Sequence, residues 1–419
     1  MRAISQFVSA LRGAPVGAIV ATLAVTACNL DVKNPTVIDA ATFSPSTDAA
    51  RLSHSAETDF FSALTSVALF GGYASDEVWV GAVRPATNDV GRRVADAANQ
   101  DINPSLWAPL SVSLSANEQV VQLLSGSAGA AADINLARSE MYSGFSLDLM
   151  AETFCQGVIR SGPPLTPSQV LDTAIARFTK AKAIANALLN GSSGAEASGI
   201  VNASQVGLAR AYLQKGDNAN AITAAQSVPA SFELQALYSA DASNLDRLGN
   251  QFAFEGNLLT APNTYVALND PRVQATPGSA QDASMPQPVY LQAKYTSFDA
   301  PIRIASGLEA QYIVAEAKLK SGDPSAALAL IAARRAANGQ GAFAGGTNAQ
   351  ILAELMDQRS RDFWMEAKHL GDIIRNPSAA AHFPAAGSLF YKPQLGNFGN
   401  NTCLPLPLQE TANNPNFKP

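Results

Sequence analysis

The sequence predicts an all-α fold, a superhelix of repeated helix pairs interrupted by a loop-rich insert that carries little strand. Three observations lead there. Apolar residues recur at helical spacing through most of the chain. A unit of helix, Gly-Asp turn and helix occurs twice. Residues 241–304 lose the helical period and fill with Pro, Asn, Gln and Ser.

Taken in order, residues 1–27 read as a signal peptide, because Arg2 and Arg12 precede an uncharged stretch, Gly13–Ala27. That stretch is too short for the roughly 20 apolar residues of a bilayer span. It closes as Val25-Thr26-Ala27-Cys28, small residues ahead of a cysteine, the pattern at which lipoprotein processing acylates the thiol. Cys28 is therefore the predicted lipidation site; an ordinary cleaved signal that happens to meet a cysteine is the alternative. Residues 28–45 follow as a polar tether around Asn34-Pro35, leading into the helical pattern of Ala49–Leu69. Residues 70–109, with scattered Gly, Asn, Asp and Pro, read as long loops between helices, a setting that often carries function. Helical repeats then occupy 110–235 and 305–375, separated by the insert at 241–304, in which Tyr265, Tyr290 and Tyr295 are interspersed. Residues 391–419 read as an extended tail.

The repeat rests on aligned residues. Ala209, Ala211, Leu213, Gly216, Asp217 and Ala221 match Ala315, Ala317, Leu319, Gly322, Asp323 and Ala327, each 106 positions later. This layout is similar to the tetratricopeptide repeat, in which Gly ends the first helix in a left-handed conformation and Asp caps the second. The predicted fold class is thus a tetratricopeptide-like helical superhelix, with residues 137–154 plus 167–189 as a degenerate further unit.

The charge narrows the function. The whole chain carries 28 basic and 34 acidic residues; without the two arginines of residues 1–27 the balance is 26 against 34, or -8. No cluster of Lys and Arg offsets that deficit, so nucleic acid is not an expected partner. Neither a GxSxG elbow, a P-loop, an HExxH nor a paired CxxC is present, and the histidines lie apart at 54, 369 and 382. No catalytic residue, metal site or cofactor is nominated, and the chain is read as a non-enzyme. Besides Cys28 only Cys155 and Cys403 remain, and in an oxidising compartment the two can form a disulfide; a pair of buried free thiols is the alternative.

The segment Asp357-Gln358-Arg359-Ser360-Arg361-Asp362-Phe363-Trp364-Met365-Glu366-Ala367-Lys368-His369-Leu370-Gly371-Asp372-Ile373-Ile374-Arg375 resembles the late helix of the SusD/RagB family. The closing Leu404–Pro415 resembles that family's proline-rich terminal motif, and Leu308–Gly322 its alanine- and glutamate-rich repeat helix. Ser75-Asp76-Glu77 also fits. The resemblance implies a single domain over 28–419, anchored at the outer membrane and facing the cell surface. There it would bind a glycan or other oligomeric nutrient without cleaving it, and pass it to a SusC-like TonB-dependent transporter. From spacing alone, Arg359, Phe363, Glu366, Leu370 and Ile373 share one helical face, with Arg359 and Glu366 expected to pair.

Ligand capture needs aromatic faces for sugar rings and polar groups to orient them. Tyr73, Asp76, Trp79, Arg84 and Asn88, in the early loop region, are the predicted ligand-binding set, with core packing as the alternative for Trp79. For Trp107 packing is expected. The rival function is a repeat scaffold that grips a protein or peptide in a smooth, aromatic-poor groove with an apolar stripe; exposed loop aromatics would favour glycan capture instead.

Overall fold

The computed structural model describes residues 44–240, 244–249 and 258–417. The signal segment, Cys28 and most of the tether lie outside the described residues. The chain is mainly helical, and helix pairs lead and close it. Helix α1 (Pro45–Ala74) starts on a proline and carries Asp48 in its first turn, where a carboxylate complements the helix dipole. Its face of Ala56, Phe60, Ala63, Leu64 and Val67 is buried, against α3 (Ala108–Leu124) and α4 (Ile134–Thr153). Every residue of α4 from Leu136 to Thr153 is buried. A helix enclosed on all sides must hydrogen-bond its own polar residues, and Ser139, Ser143 and Ser146 do so with Ser53, Glu118 and Ser113.

Next comes α5 (Pro167–Asn186), begun by a reciprocal capping box between Thr166 and Gln169. It places the Phe178 ring between Gly144 of α4 and Gly207 of α6 (Gly194–Gln214); a Cβ at those glycines would stand 2.7 and 2.3 Å from the ring. The absent side chains let three helices close on one aromatic. Helix α7 (Asn218–Ala225) completes that pair, and α9 (Gly307–Lys320) with α10 (Ser325–Ala337) forms another. The repeat reading is borne out at its turns. Gly216 has φ 79° and Gly322 φ 96°, a region glycine enters without steric cost. Asp217 accepts from Asn220 N, and Asp323 from Ser325 N.

Strand is sparse. Between the pairs, β2 (Glu233–Ala236) lies antiparallel to β6 (Ile302–Ser306), and β4 (Ala275–Gly278) pairs with β5 (Val289–Gln292). Strand β1 (Trp79–Val80) pairs with β3 (Leu259–Thr260), and one short helix, α8 (Asn263–Val266), follows.

Three expectations are corrected. Residues 70–109 are less loop-like than predicted: α1 runs on to Ala74, α2 spans Pro85–Gly91, and a π-turn at Asn103–Trp107 leads into α3. The late segment is not one helix. Helix α11 (Asn348–Asp362) ends, Met365 and Ala367 take φ 61° and 58°, and α12 (His369–Arg375) starts afresh. The tail is extended over 399–407 but closes with the short helix α13 (Leu408–Asn413).

Candidate functional site

The predicted ligand-binding residues fall around one turn at the end of α1, but not as predicted. Tyr73, Asp76, Trp79 and Asn88 are all buried. The indole of Trp79 stacks on Tyr391 of the tail, ring centroids 4.5 Å apart and 17° from parallel, and its Nε1 donates to Asp76 Oδ1 at 2.9 Å. Asn88 Nδ2 donates to the carbonyls of Ala82 and Arg84. The expectation of open ring faces is therefore overturned. The physical reason is that β1 pairs with β3 on one side while the tail covers the other, a crossing of distant segments that local spacing cannot reveal. Of the five, Arg84 is the one exposed.

Arg84 overhangs a notch of about 40 Å³, also lined by Tyr73, Thr87, Asp101, Ser105 and Arg247, with apolar walls from Leu69, Phe70, Val80 and Leu258. A single water needs roughly 10–15 Å³ on this measure, so the notch takes a small polar group rather than a whole sugar. Thr87 Oγ1 donates to Asp101 Oδ2 at 2.5 Å, and Arg247 donates to Ser66 Oγ and the Ser105 carbonyl, each at 2.9 Å. Burial raises the Tyr73 hydroxyl well above its ordinary range, against the opposing pull of Arg84 and Arg247, so it stays protonated. Thr87, Asp101, Ser105 and Arg247 carry no local signature and were missed from sequence.

A second concavity of about 470 Å³ opens between α7, α9 and α10, walled by Ala225, Val228, Ala310, Val314, Ala329 and Leu330. It holds no aromatic ring. Among the described residues no Phe, Tyr or Trp is fully exposed, and Tyr212, Tyr290 and Tyr391 are half-buried. Of the insert's aromatics, Tyr265 and Tyr295 are buried.

An ionic core is centred on the late segment. Arg359 does not pair with Glu366. Its Nε bonds Asp372 at 2.7 Å, while Glu366 accepts from Lys294 at 2.7 Å and from Arg303 at 2.8 and 2.9 Å. The break at 363–368 turns the two side chains apart. Arg210 grips Glu309 through two bonds of 2.8 and 2.9 Å, and Arg375 grips Glu316 through two of 2.7 and 2.8 Å. Burial alone would raise Glu366, but Lys294 and Arg303 hold it at about 2. Elsewhere burial wins, pushing Asp76 and Glu77 to about 8. Glu309, Glu316 and Glu366 are thus each held by buried basic groups, while Asp76 and Glu77 are buried without a direct cationic partner.

The tail is fastened at Cys155–Cys403, which are disulfide-bonded as predicted, beside reciprocal backbone bonds from Cys155 N to the Leu404 carbonyl and from Leu404 N to the Thr153 carbonyl. Trp107 packs as expected, its ring edge-on to Phe154 and its Nε1 donating to Glu410.

The described residues form a helical-repeat body with a polar notch at one turn and a lateral apolar groove. More particularly, the chain has the fold of the SusD superfamily. It is similar to a SusD superfamily protein from Parabacteroides distasonis, with TM-score 0.68 and 14% identity over 90% of this chain and 99% of that one. A putative sugar binding protein from Bacteroides vulgatus aligns with TM-score 0.65 and 15% identity over 88% and 97%. Surface glycan-binding protein A from Bacteroides uniformis aligns with TM-score 0.58 and 14% identity over 84% and 93%. No protein-family model matches the sequence, and no curated protein does.

Proposed function

We propose that this chain is a SusD-like, non-catalytic lipoprotein, anchored through Cys28 at the surface of the outer membrane, that captures a glycan and passes it to a SusC-like TonB-dependent transporter. The observation that carries the reading is the fold, shared nearly end to end with proteins described as sugar-binding or glycan-binding. The solvent-open notch at Arg84 is the capture point it supports best. No cofactor is needed for such a role. Titrating the mature chain, as a Cys28→Ser form, with neutral and acidic oligosaccharides by calorimetry tests it. Saturable heat with at least one class is expected; silence across the panel would remove glycan capture. The anchor is tested separately by expressing the full gene with labelled palmitate. Label and membrane retention should both disappear in Cys28→Ala.

The groove favours a second reading. Apolar and without aromatics, it has the character expected of a protein- or peptide-gripping repeat scaffold. Binding of amphipathic peptides but of no glycan would favour it.

A further inference from the structure

We propose that Glu77 and Glu152 form a proton-operated latch on the break between α11 and α12: as neutral carboxyls they seat residues 363–368 on the body of the fold, and their ionisation lets that segment lift toward solvent. The latch is a property of the fold and does not rest on the glycan-capture reading. Both carboxyls line one cavity of about 10 Å³, walled also by Val67 and Gly71 of α1 and by Ala367 and Lys368 of the break. It has room for about one water. Glu77 Oε1 accepts from Met365 N at 3.1 Å. The Glu152 carboxyl lies under the first turn of α12, where a Cβ at Gly371 would stand 2.8 Å from its Cδ, and its Oε2 has no hydrogen-bond partner. The break is strained, with Met365 at φ 61° and Ala367 at φ 58°. Such backbone persists only where its surroundings impose it, so a change in the two acids beneath it falls on the segment readiest to move.

The charged groups around the cavity are bound to other partners. Arg210 of α6 grips Glu309 of α9, Arg375 of α12 holds Glu316 and Asp372, and Arg359 of α11 bonds Asp372. Lys294 and Arg303 bond Glu366, and Lys368 stands 3.8 Å from Glu366 and 4.0 Å from Glu309. Arg210 and Arg375 attract Glu152, and Lys294 attracts Glu77, without an ion pair to either. Asp372, Glu309 and Glu366 act against ionisation, and Asp148, one turn before Glu152 on α4, is a third buried carboxyl, with neither oxygen hydrogen-bonded. Burial lowers His369 to about 4 and keeps its ring neutral. Burial also prevails at the acids, raising Glu77 to about 8 and Glu152 to about 7. Once exposed, each would ionise near 4.5. The seated break therefore keeps protons that the lifted break releases, so seating is fully favoured below about 4.5 and loses ground as pH rises to about 8.

Hydrogen exchange read by mass spectrometry on the Cys28→Ser mature chain tests the latch, with protection corrected for the intrinsic pH dependence of exchange. Protection of residues 363–371 should fall about tenfold or more as pH rises from about 5 to about 8 and level off above, while α5 (Pro167–Asn186) stays protected. Glu77→Gln and Glu152→Gln keep an acceptor and cannot ionise; each should shrink that fall and the double variant should abolish it. An equal fall in wild type and double variant overturns the latch. So does a loss of protection in α5 in step with the break, since the whole fold would then be opening. Infrared spectra of the wild type need no substitution: a protonated-carboxyl band should be present at about pH 6 and decline toward about pH 8, and its absence at about pH 6 overturns the proposal whether or not the variants fold.

Discussion

Glu77 is a single carboxyl that holds two distant parts of the chain together. Its Oε1 accepts from Met365 N at 3.1 Å and its backbone carbonyl from Trp364 Nε1 at 2.9 Å. Burial raises its pKa from 4.5 to about 8, outweighing the Met365 bond and the attraction of Lys294. Between those values the unfolded chain releases the proton while the folded chain keeps it, so this group makes stability fall as pH rises from about 4.5 to about 8. Glutamine keeps the acceptor and cannot ionise. The melting temperature of Glu77→Gln relative to wild type should therefore climb from pH 5 to pH 8 and level off above; a flat difference across that range would show that the carboxyl is already ionised in the fold. Glu366 has the opposite sign. Held at about 2, it contributes stability above its unfolded value, lost only as pH falls toward 2. Nothing in the sequence marks the two acids as different; position in the fold decides their chemistry.

At the scale of elements, the tail and α4 depend on one cross-link. Cys155 and Cys403 are 248 residues apart, and the chain entropy of closing so long a loop is on the order of 4–5 kcal/mol. Reductant should lower the melting temperature of the wild type by several degrees and leave a Cys155→Ser, Cys403→Ser variant unmoved. An unchanged wild type would mean that the backbone bonds of Leu404 and the packing of Trp107 hold the tail alone. Which elements could be read in advance follows from how local their causes are. Gly216-Asp217 and Gly322-Asp323 were legible because a left-handed turn and a helix cap are settled within a few residues. The break after Asp362 was not. Met365 and Ala367 sit at positive φ, where neither is at ease, and Met365 N is held there by Glu77, 288 residues away. The same holds for the notch: Tyr73 and Arg84 were named from their neighbourhood, but Arg247 arrives from the insert and Trp79 is capped by Tyr391.

Across the whole molecule, the late segment acts as a keystone for the repeat array. The repeat offset of 106 puts Arg210 of α6 and Glu316 of α9 at equivalent positions. Each is buried and each reaches across its unit boundary: Arg210 to Glu309 at the start of α9, Glu316 to Arg375 at the end of α12. Arg375 also bonds Gln214 of α6, at 2.7 Å, so one guanidinium joins the two repeats and the closing segment. Removing it leaves the buried Glu316 only Lys320 and Asn376, and breaking a buried pair costs up to about 3–5 kcal/mol, whereas replacing both partners by apolar side chains is often neutral. Arg375→Met should therefore be strongly destabilising, and Glu316→Leu less so, because Arg375 keeps its pair with Asp372 and its bond to Gln214. The double variant should recover much of the loss in denaturant unfolding. Simple additivity of the two single effects would show that Arg375 is held by Asp372 and Gln214 and that Glu316 contributes no coupling to it.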